Sequence, residues 1–156
     1  MRFLPVFIVV ILASACLSEP DCVEAGTNLA IVRLRDSTNA VTKAVFSSIK
    51  VSGLTTFNIV PPKDTLSTLR VPVDPLAGQT TYEIKYTYFY LDSIPRKRES
   101  TFTISYTAQN IIVSTSCPPF KQISNLDVPE YTFREKPLVV NREITNSETI
   151  NIEIKL

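Results

Sequence analysis

Three features of this chain predict an all-β domain, built as an antiparallel β-sandwich. Its composition is that of strands: one Met, no Trp and three Gly, but many Thr, Val, Ile and Tyr. Several segments alternate apolar and polar residues with a period of two. Beyond the N-terminal leader, no run of ten or more residues sustains the 3.6-residue period of a helix.

The clearest strand is residues 82–90. One face collects Tyr82, Ile84, Tyr86, Tyr88 and Tyr90, and the other starts polar with Glu83 and Lys85, then turns apolar at Phe89 and Leu91. Phe102, Ile104 and Tyr106 repeat the pattern beyond the turn-rich stretch 92–98, which predicts a long hairpin with Arg96, Lys97 and Arg98 at its tip. The chain closes on a third clear strand, in which Ile150, Ile152, Ile154 and Leu156 alternate with Asn151, Glu153 and Lys155. Weaker strand patterns cover 28–35, 45–51, 69–73, 111–116 and 137–143, and Pro72, which has no N–H to donate, marks an edge or a strand end. Short strands separated by turn signals predict an immunoglobulin-like Greek key, with a small β-barrel as the alternative. There is no internal repeat and no low-complexity linker, so one domain is expected.

The leader predicts an address. Met1-Arg2 carries one positive charge, and the apolar run from Phe3 to Ala13 is shorter than the roughly 20 residues that span a bilayer. It reads as the hydrophobic region of a signal peptide over residues 1–15. The run ends Leu12-Ala13-Ser14-Ala15-Cys16. Ala13-x-Ala15 fits ordinary secretory cleavage, while small residues before a cysteine resemble the lipobox of bacterial lipoproteins, with Leu12 one place further from Cys16 than usual. Both cleavages cut the same bond. Lipidation is the preferred reading, because Cys16 stands where a palmitate-type acyl acceptor must stand. Residues 16–26 then form a lipidated tether and residues 27–156 the β-domain.

Lipidation of Cys16 leaves Cys22 and Cys117 as an even pair in an oxidising compartment. A disulfide between them is worth roughly 4–5 kcal/mol in the chain-entropy model; the alternative is two buried free thiols. With Cys22 pinned to the domain, the chain from Cys16 reaches at most about 20 Å, which holds the body close to its membrane.

Removing Arg2 from the sixteen Lys and Arg leaves fifteen, against fifteen Asp and Glu. A balanced chain argues against nucleic acid as a partner. The absence of histidine excludes His-based triads and His-containing metal sites. The three glycines, Gly26, Gly53 and Gly78, make no phosphate-cradling loop. The acidic residues are scattered, with no spacing that marks a catalytic pair; Glu19, Asp21 and Glu24 read as part of a solvated leader rather than a calcium site. A non-enzyme without metal or cofactor is expected.

Three local features have both a functional and a structural reading. Tyr82, Tyr86, Tyr88 and Tyr90 are either a stacking platform for a glycan or peptide, or the core-facing side of a strand. Arg96-Lys97-Arg98 either meets anionic lipid headgroups or forms a solvated turn beside Glu99. Asp36-Ser37-Thr38, Asp64-Thr65-Leu66 and Asp92-Ser93-Ile94 resemble the Asp-Ser/Thr-apolar acceptor for O-glycosylation in Bacteroidota, which would modify Ser37, Thr65 and Ser93; Asp before Ser or Thr also starts turns.

The leader ending at Cys16, the following Asp21-Cys22, the strand Leu29-Ala30-Ile31-Val32-Arg33-Leu34 and the closing Asn151-Ile152-Glu153-Ile154 resemble a small lipoprotein family of Bacteroidota, a domain of unknown function. The acidic run common between its two cysteines is reduced here to Glu19 and Asp21. The resemblance implies a cell-envelope location, on the outer membrane with the periplasmic or surface face open, and it implies no activity. The expected role is therefore a non-enzymatic structural or protein-interaction module anchored by lipid, docking an envelope partner along an exposed strand edge. A glycan- or peptide-binding lipoprotein that uses the aromatic strand face is the alternative.

Overall fold

The computed structural model describes residues 28–52, 57–59, 65–89, 94–112, 119–145 and 148–156. The signal peptide and tether, with Cys16, Cys22, Glu19, Asp21 and Glu24, lie outside these residues, as do Cys117, Tyr90 and Ser93. The described chain is all-β, with β1 (Leu29–Arg35), β2 (Ala44–Ser52), β3 (Phe57–Ile59), β4 (Thr65–Leu66), β5 (Thr68–Pro72), β6 (Gln79–Phe89), β7 (Pro95–Ile111), β8 (Phe120–Tyr131), β9 (Leu138–Val139) and β10 (Ile152–Lys155). They form two sheets, one of them a curled half-barrel. The smaller has the order β5-β1-β10-β9; the larger runs β3-β2-β6-β7-β8, with β4 also paired to β2.

Alternation produces the core. Ala30, Val32 and Leu34 on β1, Ile152 and Ile154 on β10, and Leu69 and Val71 on β5 meet Tyr82, Ile84 and Tyr86 of β6 and Phe102, Ile104 and Tyr106 of β7 in one buried cluster. Full burial of each aliphatic or Phe side chain contributes about 1.5–3 kcal/mol. Tyr82 and Phe102 are directly paired across β6 and β7, with stacked rings 4.8 Å apart.

The sheets are not purely antiparallel. β1 and β10 pair in parallel, with Val32 opposite Ile152 and Leu34 opposite Ile154, because the intervening chain acts as one long crossover between them. Strand switching joins the two sheets along both flanks. Only Ser67 separates β4, which pairs with β2, from β5, which pairs with β1. On the other flank β9 pairs with β10, while the Leu126 amide donates to the Arg142 carbonyl at 3.1 Å and the Ile144 amide to the Ile123 carbonyl at 3.0 Å.

These switches also cover edges. The outer side of β8 is partly taken by Arg142 and Ile144, β3 and β9 have three and two residues, and β5 ends at Pro72 on the edge of its sheet. Among the described residues, these short and covered edges offer little backbone for an added strand. Pro72 is both edge and strand end.

β8 departs most from the sequence pattern, which left it unassigned. Its register against β7 slips twice, between Thr103 and Ser105 and between Ser105 and Thr107, each time placing an extra residue on β8. Asn125 adopts a positive φ of 56° at one slip, and Pro129 sits at the other. The buried residues are Ile123, Leu126 and Val128, so the spacing runs three then two and period two is broken. β3 and β4 are too short to show any period. Of the strand expected at 111–116, Ile111 ends β7 while 113–116 lie outside the described residues, and that expected at 137–143 shortens to Leu138–Val139. Arg96, Lys97 and Arg98 belong to β7, paired with Tyr88, Thr87 and Tyr86, rather than to the hairpin tip.

The domain has two distinct ends. At one, the Val73 amide donates to the Asn28 carbonyl at 2.8 Å, Asp74 receives the Tyr106 hydroxyl, and Gly78 turns into β6 with φ 70°. At the other lie the 36–40 turn, Phe89 opposite Pro95, and Leu156, whose amide donates to the Arg35 carbonyl at 2.9 Å. The eleven residues of β6 run between these ends, a span of roughly 33–37 Å.

Candidate functional site

Towards this second end, the inner face of β6 and β7 changes character. Ile84, Phe102 and Ile104 are buried, but the next pairs along the hairpin are Tyr86 with Arg98 and Tyr88 with Arg96. An inward face is apolar only while a second layer covers it. Here the overhanging hairpin meets water, and cations replace aliphatic side chains.

Two other elements complete a cleft of about 540 Å³. The segment after β8 is fastened to β7 by the Thr132 amide on the Thr101 carbonyl at 2.9 Å and by the Thr101 amide on the Thr132 hydroxyl at 2.8 Å. Phe133 is buried with its ring 6.0 Å from that of Phe102, which sets Arg134 at the cleft wall. The end of β10 brings Lys155, which is also paired with Glu135 at 3.1 Å.

Arg96, Arg98, Arg134 and Lys155 thus line one cleft, and Glu99 is its one acidic side chain among the described residues. Glu99 is held by Lys85 at 3.1 Å. Arg98 and Arg134 have no carboxylate within ion-pair distance among the described residues. Hydroxyls of Ser37, Ser100 and Thr132 and the phenols of Tyr86 and Tyr88 also line it. Burial pushes the Tyr86 phenol above its ordinary range, opposed by its contact with Ser100 and by the Arg98 charge. A more open hollow of about 390 Å³ lies between Ser47 of β2 and Lys85, Tyr86, Thr87, Lys97, Arg98 and Glu99 of the hairpin; there Lys85 is neutralised by Glu83 and Glu99.

Of the two readings of the tyrosine stripe, Tyr82 and Tyr86 follow the core-facing one. Tyr82 is 0% and Tyr86 5% exposed, so their rings are core and present no face to a ligand. Tyr88 alone among the described members is half-buried and reaches the cleft. Of the glycosylation motifs, Asp36-Ser37-Thr38 is a side-chain-capped turn: Asp36 Oδ1 accepts the Thr38 amide at 2.8 Å, the Thr38 hydroxyl at 2.7 Å and the Ala40 amide at 2.9 Å. These bonds, the Thr38 hydroxyl foremost, hold the Asp36 carboxyl below its ordinary range. Ser37 is exposed beside the cleft, and Thr65 is exposed within β4 rather than in a loop. Arg134 and Lys155 were not legible as site residues, since they lie far from Arg98 in sequence; the run Phe133-Arg134-Glu135-Lys136 was their only trace. No protein-family model, no curated protein and no solved structure matches this chain.

Proposed function

We propose that this chain is a lipid-anchored, non-enzymatic interaction module of the bacterial cell envelope, an immunoglobulin-like sandwich held by acylated Cys16 at the outer membrane and related to the small lipoproteins of Bacteroidota that it resembles. The observation that carries the reading is the polarity of the fold: Asn28 enters at one end, and the cationic cleft opens at the other. From Cys16 to Asn28 the chain extends at most about 40 Å, and a Cys22–Cys117 bridge shortens that tether further. Anchoring therefore secures the domain by its Asn28 end and presents the cleft towards partners. Two or three acyl chains, at about 0.8 kcal/mol per buried methylene, make release slow.

The test is membrane partition in the native host. The parent chain incorporates labelled palmitate and sediments with membranes, while Cys16→Ser loses the label and becomes soluble. A Cys16→Ser chain that stays as firmly membrane-bound as the parent overturns the anchor. Orientation is read by attaching a fluorophore at Leu76, in the turn at the Asn28 end, or at Ser37, beside the cleft; lipid-borne quenchers should dim the first more strongly.

A further inference from the structure

We infer that the cleft between β7, residues 132–134 and β10 is a binding site for a phosphorylated sugar, with the phosphoryl group between Arg98 and Arg134 and the sugar ring against Tyr88. This goes beyond the anchored-module reading and does not depend on the lipid. Three separate elements deliver cations to one enclosure, so the concentration of charge is a product of the tertiary fold and not of one basic run. Clustering like charges costs energy unless a counter-charge arrives. No described carboxylate lies within ion-pair distance of Arg98 or Arg134. Elsewhere the fold does neutralise its charges: Arg33 and Arg35 share Glu153, Lys50 has Glu83, and Lys136 has Asp127.

The guanidinium fork matches phosphoryl oxygens in bidentate geometry, and hydroxyl donors fill the remaining acceptor sites; Ser37 and Ser100 line the same cleft. A bare anion would not need the rest of the wall. Tyr88, half-buried at the cleft, adds an apolar surface with a polar tip, suited to the C–H face and hydroxyls of a sugar. A volume of about 540 Å³ lies within the range of small-ligand pockets.

The test uses the full chain in neutral detergent micelles, titrated calorimetrically with glucose 6-phosphate, glucose and inorganic phosphate. Glucose 6-phosphate should bind, glucose should not, and inorganic phosphate should bind at least about tenfold more weakly. Arg98→Ala and Arg134→Ala should each lower affinity by about tenfold or more, with unchanged thermal midpoints because both side chains are exposed. Lys97→Ala, on the adjoining open hollow, should leave affinity intact. Phosphate binding as tightly as the sugar phosphate overturns sugar recognition. Equal losses in Lys97→Ala and Arg98→Ala overturn the site in favour of diffuse charge. Binding seen only with vesicles containing phosphatidylglycerol, and not with the soluble sugar phosphate, overturns the ligand class in favour of a lipid surface.

Discussion

Asn151 satisfies both backbone groups of Ile31: its Oδ1 accepts the Ile31 amide at 2.9 Å, and its own amide donates to the Ile31 carbonyl at 2.9 Å. The side chain thereby extends the parallel pairing of β1 and β10 by one step. Its Nδ2 donates to the Glu143 carbonyl at 2.7 Å, and its carbonyl accepts the Val140 amide at 2.8 Å. One residue, 2% exposed, thus ties the first strand, the last strand and the flank-closing segment together. Asn151→Ala would strand the buried Ile31 amide and the Glu143 carbonyl. The expected cost is about 2–6 kcal/mol, at roughly 1–3 kcal/mol for each unsatisfied group, read from urea denaturation. A loss under about 1 kcal/mol would mean that other groups satisfy them just as well.

Asn125 supplies the left-handed turn that lets β8 slip its register. Asn tolerates this conformation and β-branched residues do not. Asn125→Gly should leave the thermal midpoint nearly unchanged, while Asn125→Val should cost about 1–2 kcal/mol or more. Equal midpoints for the two variants would show that the bulge is not held by backbone conformation.

Core and surface should respond very differently. Phe102 is 1% exposed and contacts both Tyr82 and Phe133, so Phe102→Ala should cost about 3–5 kcal/mol. Arg70 and Glu148 pair at 2.6 Å, but with 59% and 86% of their side chains exposed; Arg70→Ala should cost under about 1 kcal/mol. Chemical denaturation of both variants checks the contrast, and a larger loss at Arg70 would refute it.

Alkali should unfold this domain. Burial raises the phenols of Tyr82, Tyr86 and Tyr106 above their ordinary value. In the unfolded chain these groups ionise near pH 10, so above that pH the unfolded state releases protons that the folded state keeps. The stability they contribute is complete below about pH 10 and falls as pH rises towards the folded values. Urea midpoints should drop steeply above about pH 10, and Tyr82→Phe should flatten that slope while losing the hydroxyl's bond to the Pro72 carbonyl.

Strand positions that obey period two were readable in advance: β6, the centre of β7 and β10 bury residues their alternation singled out, Tyr82 to Tyr86, Phe102 to Tyr106 and Ile152 to Ile154 among them. The pattern reports which side of a strand is wet, and that is a local property. β8 was illegible because bulges at Asn125 and Pro129 break the count, and the core role of Tyr82 could not be separated from a ligand platform because an apolar face looks the same whether protein or ligand covers it.

Residue order alone thus dictated an all-β chain without histidine chemistry, since alternation and composition are written residue by residue. Only three-dimensional packing could choose a parallel first and last strand, flanks sewn by strands that change sheets, and a cleft uniting Arg98, Arg134 and Lys155. Those features join residues far apart in the chain, whose contacts depend on register and on where the second sheet stops covering the first.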